Sequence, residues 1–326
     1  MMAARQMPSG GDWREAVAAV RPRGRLTADR PLAPFTWFKV GGPAELFFEP
    51  ADEADLVAVL EAVPPEIPVT VIGYGSNLLV RDGGVRGLVI RPGKALGGLD
   101  VSGTRITAGA GAGDVLIAET AAEAGIAGFA FLRGIPGTIG GGLKTNAGAF
   151  GGEIAEILVE ARIFDRRLGR IVWWTREDFA FAYRASALGR DQIALSVTLE
   201  GTAGDPAGIR QRMREIIRAR EESQPLRTRT GGSTFKNPPG HKAWELIARA
   251  GCRGLRIGGA RISDKHCNFI IAEESATAAD IEDLGREVRR RVYALTGVLL
   301  EWEIERIGEP LPGREPTRNG WLGVQR

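Results

Sequence analysis

The stretch FLRGIPGTIGGGLKTNAGAFGGE, residues 131–153, decides how this chain is read. Six glycines fall between Gly134 and Gly148, interleaved with Ile135, Ile139 and Leu143, and Phe150 follows. Glycine has no Cβ, so a glycine-rich backbone can approach a ligand closely or adopt turns closed to other residues. A segment of this composition does not suit a conventional core. It suits a backbone-lined channel along an extended dinucleotide, and its regularly placed apolar residues argue against a freely mobile loop.

A second glycine stretch lies upstream. In VIGYGSNLLV, residues 71–80, a strand runs directly into Gly73, Tyr74, Gly75, Ser76 and Asn77. The glycines free the backbone for an anion, while Ser and Asn add side-chain donors. Leu78 occupies the third glycine position of a Rossmann fingerprint, and no GxxxxGK[ST] loop occurs anywhere. Alone, this segment reads equally as a tight turn or a phosphate cradle. The two stretches together point to a pyrophosphate with a ring system.

Around them the periodicity is that of mixed α and β structure. AELFFEP (44–50) reads as a strand, and Leu56, Val59, Leu60 and Val63 recur at helical spacing. VTVIG (69–73) and RGLVIR (86–91) read as further strands. From 99 to 208, the short runs TRITAGA, EILVEARIFD, RIVWWT and QIALSVTLE surround one helix at 114–124, which implies a second lobe. GIRQRMREIIRAREE then places Ile209, Met213, Ile216 and Ile217 on one helical face. A helix over 278–295 is bracketed by a Thr277/Asp280 capping box and by Gly297, with Ile281, Leu284, Val288, Val292 and Leu295 on its stripe. The expected divisions are a lead-in at 1–21, lobes at 22–98 and 99–208, a third domain at 209–300 and a C-terminal strand and tail at 301–326.

The bulk properties exclude several classes. With 326 residues, 44% hydrophobic and 25% charged, the chain has material for two or three cored domains. A net charge of +3 permits anionic ligands, but the arginines of 209–229 read better as a solvated helix face than as a nucleic-acid surface. Two cysteines (Cys252, Cys267) and two histidines (His241, His266) make neither a disulfide framework nor a metal centre. No apolar run reaches membrane-spanning length, and the N-terminus has no apolar signal core, so a cytoplasmic protein away from membranes and nucleic acid is expected. A monomer is expected, with weak self-association left open.

Three stretches carry candidate chemistry. TGGSTFKNP (230–238) holds Ser233 after two glycines and before Lys236 and Asn237, with no histidine beside it in sequence to activate it. FAYRAS (181–186) offers Tyr183 and Arg184, which by themselves read as surface residues. In LLEWEIE, Glu301, Glu303 and Glu305 share one face of an alternating strand, opposite Leu300, Trp302 and Ile304, and an exposed edge is the ordinary reading.

The ordered set GYGSNLLV, GIPGTIGGGLKTNAGAFGGE, YRAS, GGSTFKNP, AGCRGLRIGGARISDKHCNFI and LEWE resembles the UDP-N-acetylenolpyruvoylglucosamine reductase family over residues 34–307. The short connection after YRAS and the KHCNFI stretch resemble its type II members. One departure is RTRT, before Gly231, where the family usually has proline and small residues.

The resemblance implies an α+β and α/β fold: a two-lobed PCMH-type (vanillyl-alcohol-oxidase-like) FAD-binding module and a C-terminal α/β substrate-binding domain. It implies non-covalent FAD, NADPH as reductant and UDP-N-acetylglucosamine enolpyruvate as substrate, in cell-wall precursor synthesis. Gly73, Tyr74, Gly75, Ser76, Asn77, Gly134, Ile135, Pro136, Gly137, Thr138, Gly140, Gly141, Asn146 and Gly148 would face the cofactor. Tyr183, Lys236 and Asn237 would face the substrate. Ser233 would be the proton donor, Arg184 would neutralise developing carboxylate charge, and Glu303 would polarise the substrate carboxylate from a protonated state. Two other readings stay open at this stage: an FAD-dependent oxidase of the same flavin fold, and a non-catalytic flavin- or UDP-sugar-binding protein.

Overall fold

The computed structural model describes residues 12–314. The ends of the expected lead-in and tail, 1–11 and 315–326, lie outside the described residues. Trp13–Ala19 is a helix capped by Asp12, and its Val17 is fully buried in the first lobe.

The first lobe is a four-stranded sheet in the order Arg25–Pro31, Pro43–Glu49, Val85–Ile90, Val69–Val71. The first pair is antiparallel and the other two are parallel. The helix Glu53–Ala62 covers it, and the predicted Leu56, Val59, Leu60 and Val63 are all buried. The strand Arg25–Pro31 has no apolar alternation and Asp29 takes a φ of 50°, so an edge strand there carries no sequence signal.

The second lobe is a five-stranded antiparallel sheet, ordered Arg170–Thr175, Leu158–Asp165, Gln192–Glu200, Arg105–Gly109, Leu99–Ser102. These are the four β runs read from the sequence and one short partner. The helix Asp114–Glu123 packs on this sheet. The helix Pro206–Ser223, expected to open the third domain, instead seats Ile209 and Met213 in the second lobe's core.

The 131–153 stretch differs most from its reading. Ile139–Thr145 is a helix ending on Asn146 in the left-handed conformation, and Gly148–Ala149 pairs with Gly152–Glu153 as a tight hairpin. Ile139 and Leu143 are fully buried, so the segment does contribute to a core after all. Its glycines sit where the helix meets other backbone: a Cβ on Gly140 would lie 2.8 Å from the Ala110 carbonyl oxygen.

The C-terminal unit packs the helices Ala243–Arg249 and Ala278–Thr296 on a small antiparallel sheet, Arg256–Ile257, Ala260–Ile262 and Ile270–Ala272. The Thr277/Asp280 capping box forms and Gly297 ends the long helix at a φ of 73°. Leu295, placed on the buried stripe by periodicity, is instead exposed in the last turn. Of the expected C-terminal strand only Glu305–Ile307 joins a sheet, running parallel to Leu78–Val80 of the first lobe. Leu79, Phe38 and Val40 of that lobe complete the C-terminal core. No described helix is long and apolar enough to cross a membrane.

Candidate active site

The two lobes enclose a cleft of about 470 Å³. The glycine turn after Val71 forms one wall, and the Gly-rich helix with the Leu188–Ala194 loop forms another. Gly73, Tyr74, Thr138, Gly140 and Gly141 line it. A Cβ on Gly73 would collide with the Thr138 side chain, and Gly75 needs its φ of 66° to pass under the Phe35 carbonyl. Those two glycines serve contacts within the protein, whereas a Cβ on Gly141 would meet only Thr138 Oγ1, at 3.5 Å, so its backbone is open to the cleft. The sequence reading missed the cleft's cations: Arg81, Arg86, Arg91, Arg190, Lys144 and Arg306 also line it. They come from strand ends and loops scattered over the chain, and no local motif marks them.

The remaining cofactor-side residues lie outside the cleft lining. Ser76 sits half-buried in the glycine turn. Gly134, Ile135, Pro136 and Gly137 form the approach to the Gly-rich helix. Asn77 and Asn146 tie separate segments of backbone together. The Asn77 amide donates to the Glu303 carbonyl at 3.0 Å, and Glu305 N–H donates to the Asn77 carbonyl at 3.0 Å. Buried Asn146 donates to the Ala182 carbonyl at 3.2 Å and accepts from Ala155 N–H at 3.0 Å.

The candidate catalytic groups meet next to this wall. Ala182 and Ala185 exchange two backbone hydrogen bonds, leaving Tyr183 and Arg184 at the tip of a tight turn, with Arg184 at a φ of 55°. That left-handed backbone is uncommon for arginine and turns the side chain toward the C-terminal segment. Arg184 Nε donates to Glu303 Oε1 at 2.7 Å and Nη2 donates to the Gly148 carbonyl at 2.8 Å. Tyr183 is half exposed, with the Arg184 guanidinium 5.1 Å from its ring centroid.

Glu303 departs from its exposed neighbours. Glu301 and Glu305 are exposed, whereas the Glu303 side chain is 19% accessible. Burial pushes its carboxyl above the ordinary glutamate range, and the cations Arg184 and Lys236 oppose that shift. The Ser233 segment is stitched to the same strand: Phe235 bridges Trp302, and Glu303 N–H donates to the Thr234 carbonyl at 2.9 Å. On its other side Ser233 bridges Phe269, and Asn268 brackets Phe235 with two side-chain hydrogen bonds. Ser233 is therefore one residue from a direct backbone contact with Glu303. Lys236 N–H donates to the Glu301 carbonyl at 2.9 Å. Asn237 is exposed, and its Oδ1 accepts from Ala243 N–H at 2.9 Å, closing the start of the Ala243–Arg249 helix.

Comparison with known proteins gives the family. A reductase from Paramagnetospirillum magneticum named UDP-N-acetylenolpyruvoylglucosamine reductase is 58% identical over 297 residues, 91% of this chain and 96% of its own. The chain belongs to the UDP-N-acetylenolpyruvoylglucosamine reductase family. A protein of that name from Azorhizobium caulinodans is 56% identical over 93% of this chain and 99% of its own. The family model for the reductase C-terminal domain matches residues 224–307, and an FAD binding domain model matches 44–175. The crystal structure of the reductase from Thermus caldophilus superposes with a TM-score of 0.76 at 36% identity, covering 88% of this chain and all of that one.

Membership of the reductase family makes the two lobes a PCMH-type FAD module and the chain an FAD-containing oxidoreductase. The cleft fits that cofactor by its glycine-lined wall, whose backbone suits a pyrophosphate. Among the described residues no cluster of His, Cys, Asp or Glu is arranged to hold a metal.

Proposed function

We propose that this chain reduces UDP-N-acetylglucosamine enolpyruvate to UDP-N-acetylmuramate in the cytoplasm, with NADPH as reductant and non-covalent FAD as carrier. The observation that carries the reading is the meeting of Arg184, Glu303 and the Ser233 segment beside the FAD cleft. Held along the wall that Gly73, Tyr74, Thr138, Gly140 and Gly141 form, FAD would supply the hydride chemistry that links NADPH to the enolpyruvyl double bond.

The protein's task is then to manage charge. Hydride addition puts negative charge on the neighbouring carbon and its carboxylate. Arg184, a guanidinium fixed by two hydrogen bonds, faces that charge without reorganising. Glu303 polarises the substrate carboxylate in its protonated form, which burial favours. Ser233 donates the final proton. Its target is a strongly basic carbanion, so the serine needs no partner base, unlike a nucleophilic serine. Tyr183, Lys236 and Asn237 border this space and serve the sugar nucleotide.

Neither histidine lines the cleft, which supports FAD held without a histidine tether. All three proposed catalytic groups belong to the same chain, which supports a monomeric enzyme. The test is anaerobic: NADPH should bleach the flavin absorbance, and the enolpyruvyl sugar nucleotide should restore it. Bleaching that only oxygen reverses would identify an oxidase and remove Ser233 and Glu303 from these roles.

A further inference from the structure

The Asp114 carboxyl is fully buried at the first position of the helix Asp114–Glu123, and neither of its oxygens has a hydrogen-bond partner. Burying a polar group without a partner costs about 1–3 kcal/mol, so an orphaned carboxyl at a fixed place needs a reason. Its surroundings supply one. Asp114 N–H donates to the Gly137 carbonyl at 3.1 Å, and a Cβ on Gly137 would stand 2.7 Å from Asp114 Oδ2. Gly113, the preceding residue, bridges Thr138, which lines the FAD cleft. The carboxyl thus lies against the Gly137–Thr138 turn, outside the cleft lining.

We propose that Asp114 is a positioning residue for FAD: its buried carboxyl backs the Gly137–Thr138 turn and holds that wall at the height the dinucleotide requires. It acts through the turn and touches no reacting atom. Aspartate stands here, and not an apolar residue of like size, because the Gly137 backbone amide faces the carboxyl closely enough to oppose its burial, though short of a full hydrogen bond.

The environment suits an uncharged acid. Burial pushes Asp114 up to about 8, opposed only by the Gly137 backbone amide. The charged groups on the packed elements are engaged elsewhere. Arg133 of the preceding turn faces Glu119 at 3.8 Å, Arg105 of the neighbouring strand is paired with Glu200, and Arg220 of Pro206–Ser223 lies near Arg133. The Tyr74 hydroxyl lies against Gly113. None of these offers a charge that would favour the carboxylate.

The experiment measures FAD dissociation from the holoenzyme by stepwise dilution, read as recovered flavin fluorescence, between pH 7 and pH 9. If only the uncharged form holds the turn, wild-type protein should lose affinity about tenfold over that range, since each pH unit above the pKa removes a factor of ten. Asp114→Asn, uncharged at every pH and able to hydrogen-bond, should match wild-type affinity at pH 7 and stay flat to pH 9. Asp114→Leu, of similar bulk but without hydrogen bonds, should bind FAD at least tenfold more weakly at every pH while keeping its far-UV circular dichroism. Equal pH profiles for wild type and Asp114→Asn would overturn the proposal, as would wild-type affinity in Asp114→Leu. Wild-type protein that neither retains nor takes up FAD would overturn the cofactor assignment along with it, a distinguishable result.

Discussion

At the scale of single residues, Ser233 and Glu303 carry separable tasks, and kinetics can separate them. General acid catalysis contributes about 10²–10⁴-fold, so Ser233→Ala should slow reoxidation of reduced flavin by the enolpyruvyl substrate within that range. Reduction by NADPH should stay within about twofold of wild type, because a proton donor for the second half-reaction has no part in the first. Stopped-flow absorbance of each half-reaction reads both; parallel loss would make the serine structural. For Glu303 the sign of the pH effect follows from its raised pKa. The active form is protonated, so the rate of flavin reoxidation should fall as pH rises through that raised value. Glu303→Gln should abolish this limb and slow the step at least tenfold; undiminished turnover in that variant would remove Glu303 from the reaction. These residues were legible only as members of a motif set. Read alone, Arg184 was a surface arginine and Glu303 one of three edge glutamates. What singles them out is their mutual contact across 119 positions of chain, which no local pattern encodes. The same limit hides the long-range bonds of Asn77 and Asn146, whose amides reach the backbone carbonyls of Glu303 and Ala182.

At the scale of elements, periodicity identified the buried faces well where apolar residues recur, as in Glu53–Ala62 and Ala278–Thr296. It failed on Ile139–Thr145 because three successive glycines each cost roughly 1 kcal/mol of helix propensity relative to alanine. Tertiary contact overrides that preference: Gly140 rests on the Ala110 backbone, and a Cβ on Gly142 would strike Ile154. The long helix Ala278–Thr296 offers a test of the same competition. Gly285 lies in its middle, where alanine would normally add about 1 kcal/mol of stability. Here a Cβ would fall within the ring of Trp302, which packs at a tilt against Phe235 and precedes Glu303 in the chain. Overpacking of this kind costs about 1–3 kcal/mol, so Gly285→Ala should lower the melting temperature. It should also slow flavin reoxidation more than flavin reduction, since the displaced segment carries Glu303. A raised melting temperature with unchanged turnover would mean that Trp302 has room to move.

At the scale of the whole molecule, the C-terminal unit is held on the flavin module by a charge cluster built around Glu282. This glutamate, 3% exposed, receives two hydrogen bonds from Arg81 at 3.0 and 3.1 Å, one from Arg306 at 3.2 Å, and faces Arg286 at 3.6 Å. The next residue of the first lobe, Asp82, accepts from Ala278 and Ala279 N–H at 3.0 Å each, so the same loop also satisfies the start of the long helix. Sequence reading divided the chain by composition and could not see this joint, because its partners lie about 200 positions apart. The arginines hold Glu282 below the ordinary glutamate range although burial works against them. A depressed pKa means that the stabilisation is complete above the usual glutamate value and is lost as pH falls through the lower folded-state value. Acid should therefore loosen the docking of the C-terminal unit. Glu282→Gln should bring that loss to neutral pH, because three arginines then stand around a site with no compensating charge. Removing one partner of a buried ion pair costs about 3–5 kcal/mol, which should appear as a lower denaturation midpoint at pH 7. The variant's stability should also vary less than that of wild type between pH 5 and pH 3, since the group that titrates is gone. If instead both proteins lose stability in parallel on acidification and share a midpoint at pH 7, the cluster around Glu282 does not hold the joint. The parallel strand pair of Leu78–Val80 with Glu305–Ile307, together with Leu79 in the C-terminal core, would then carry it.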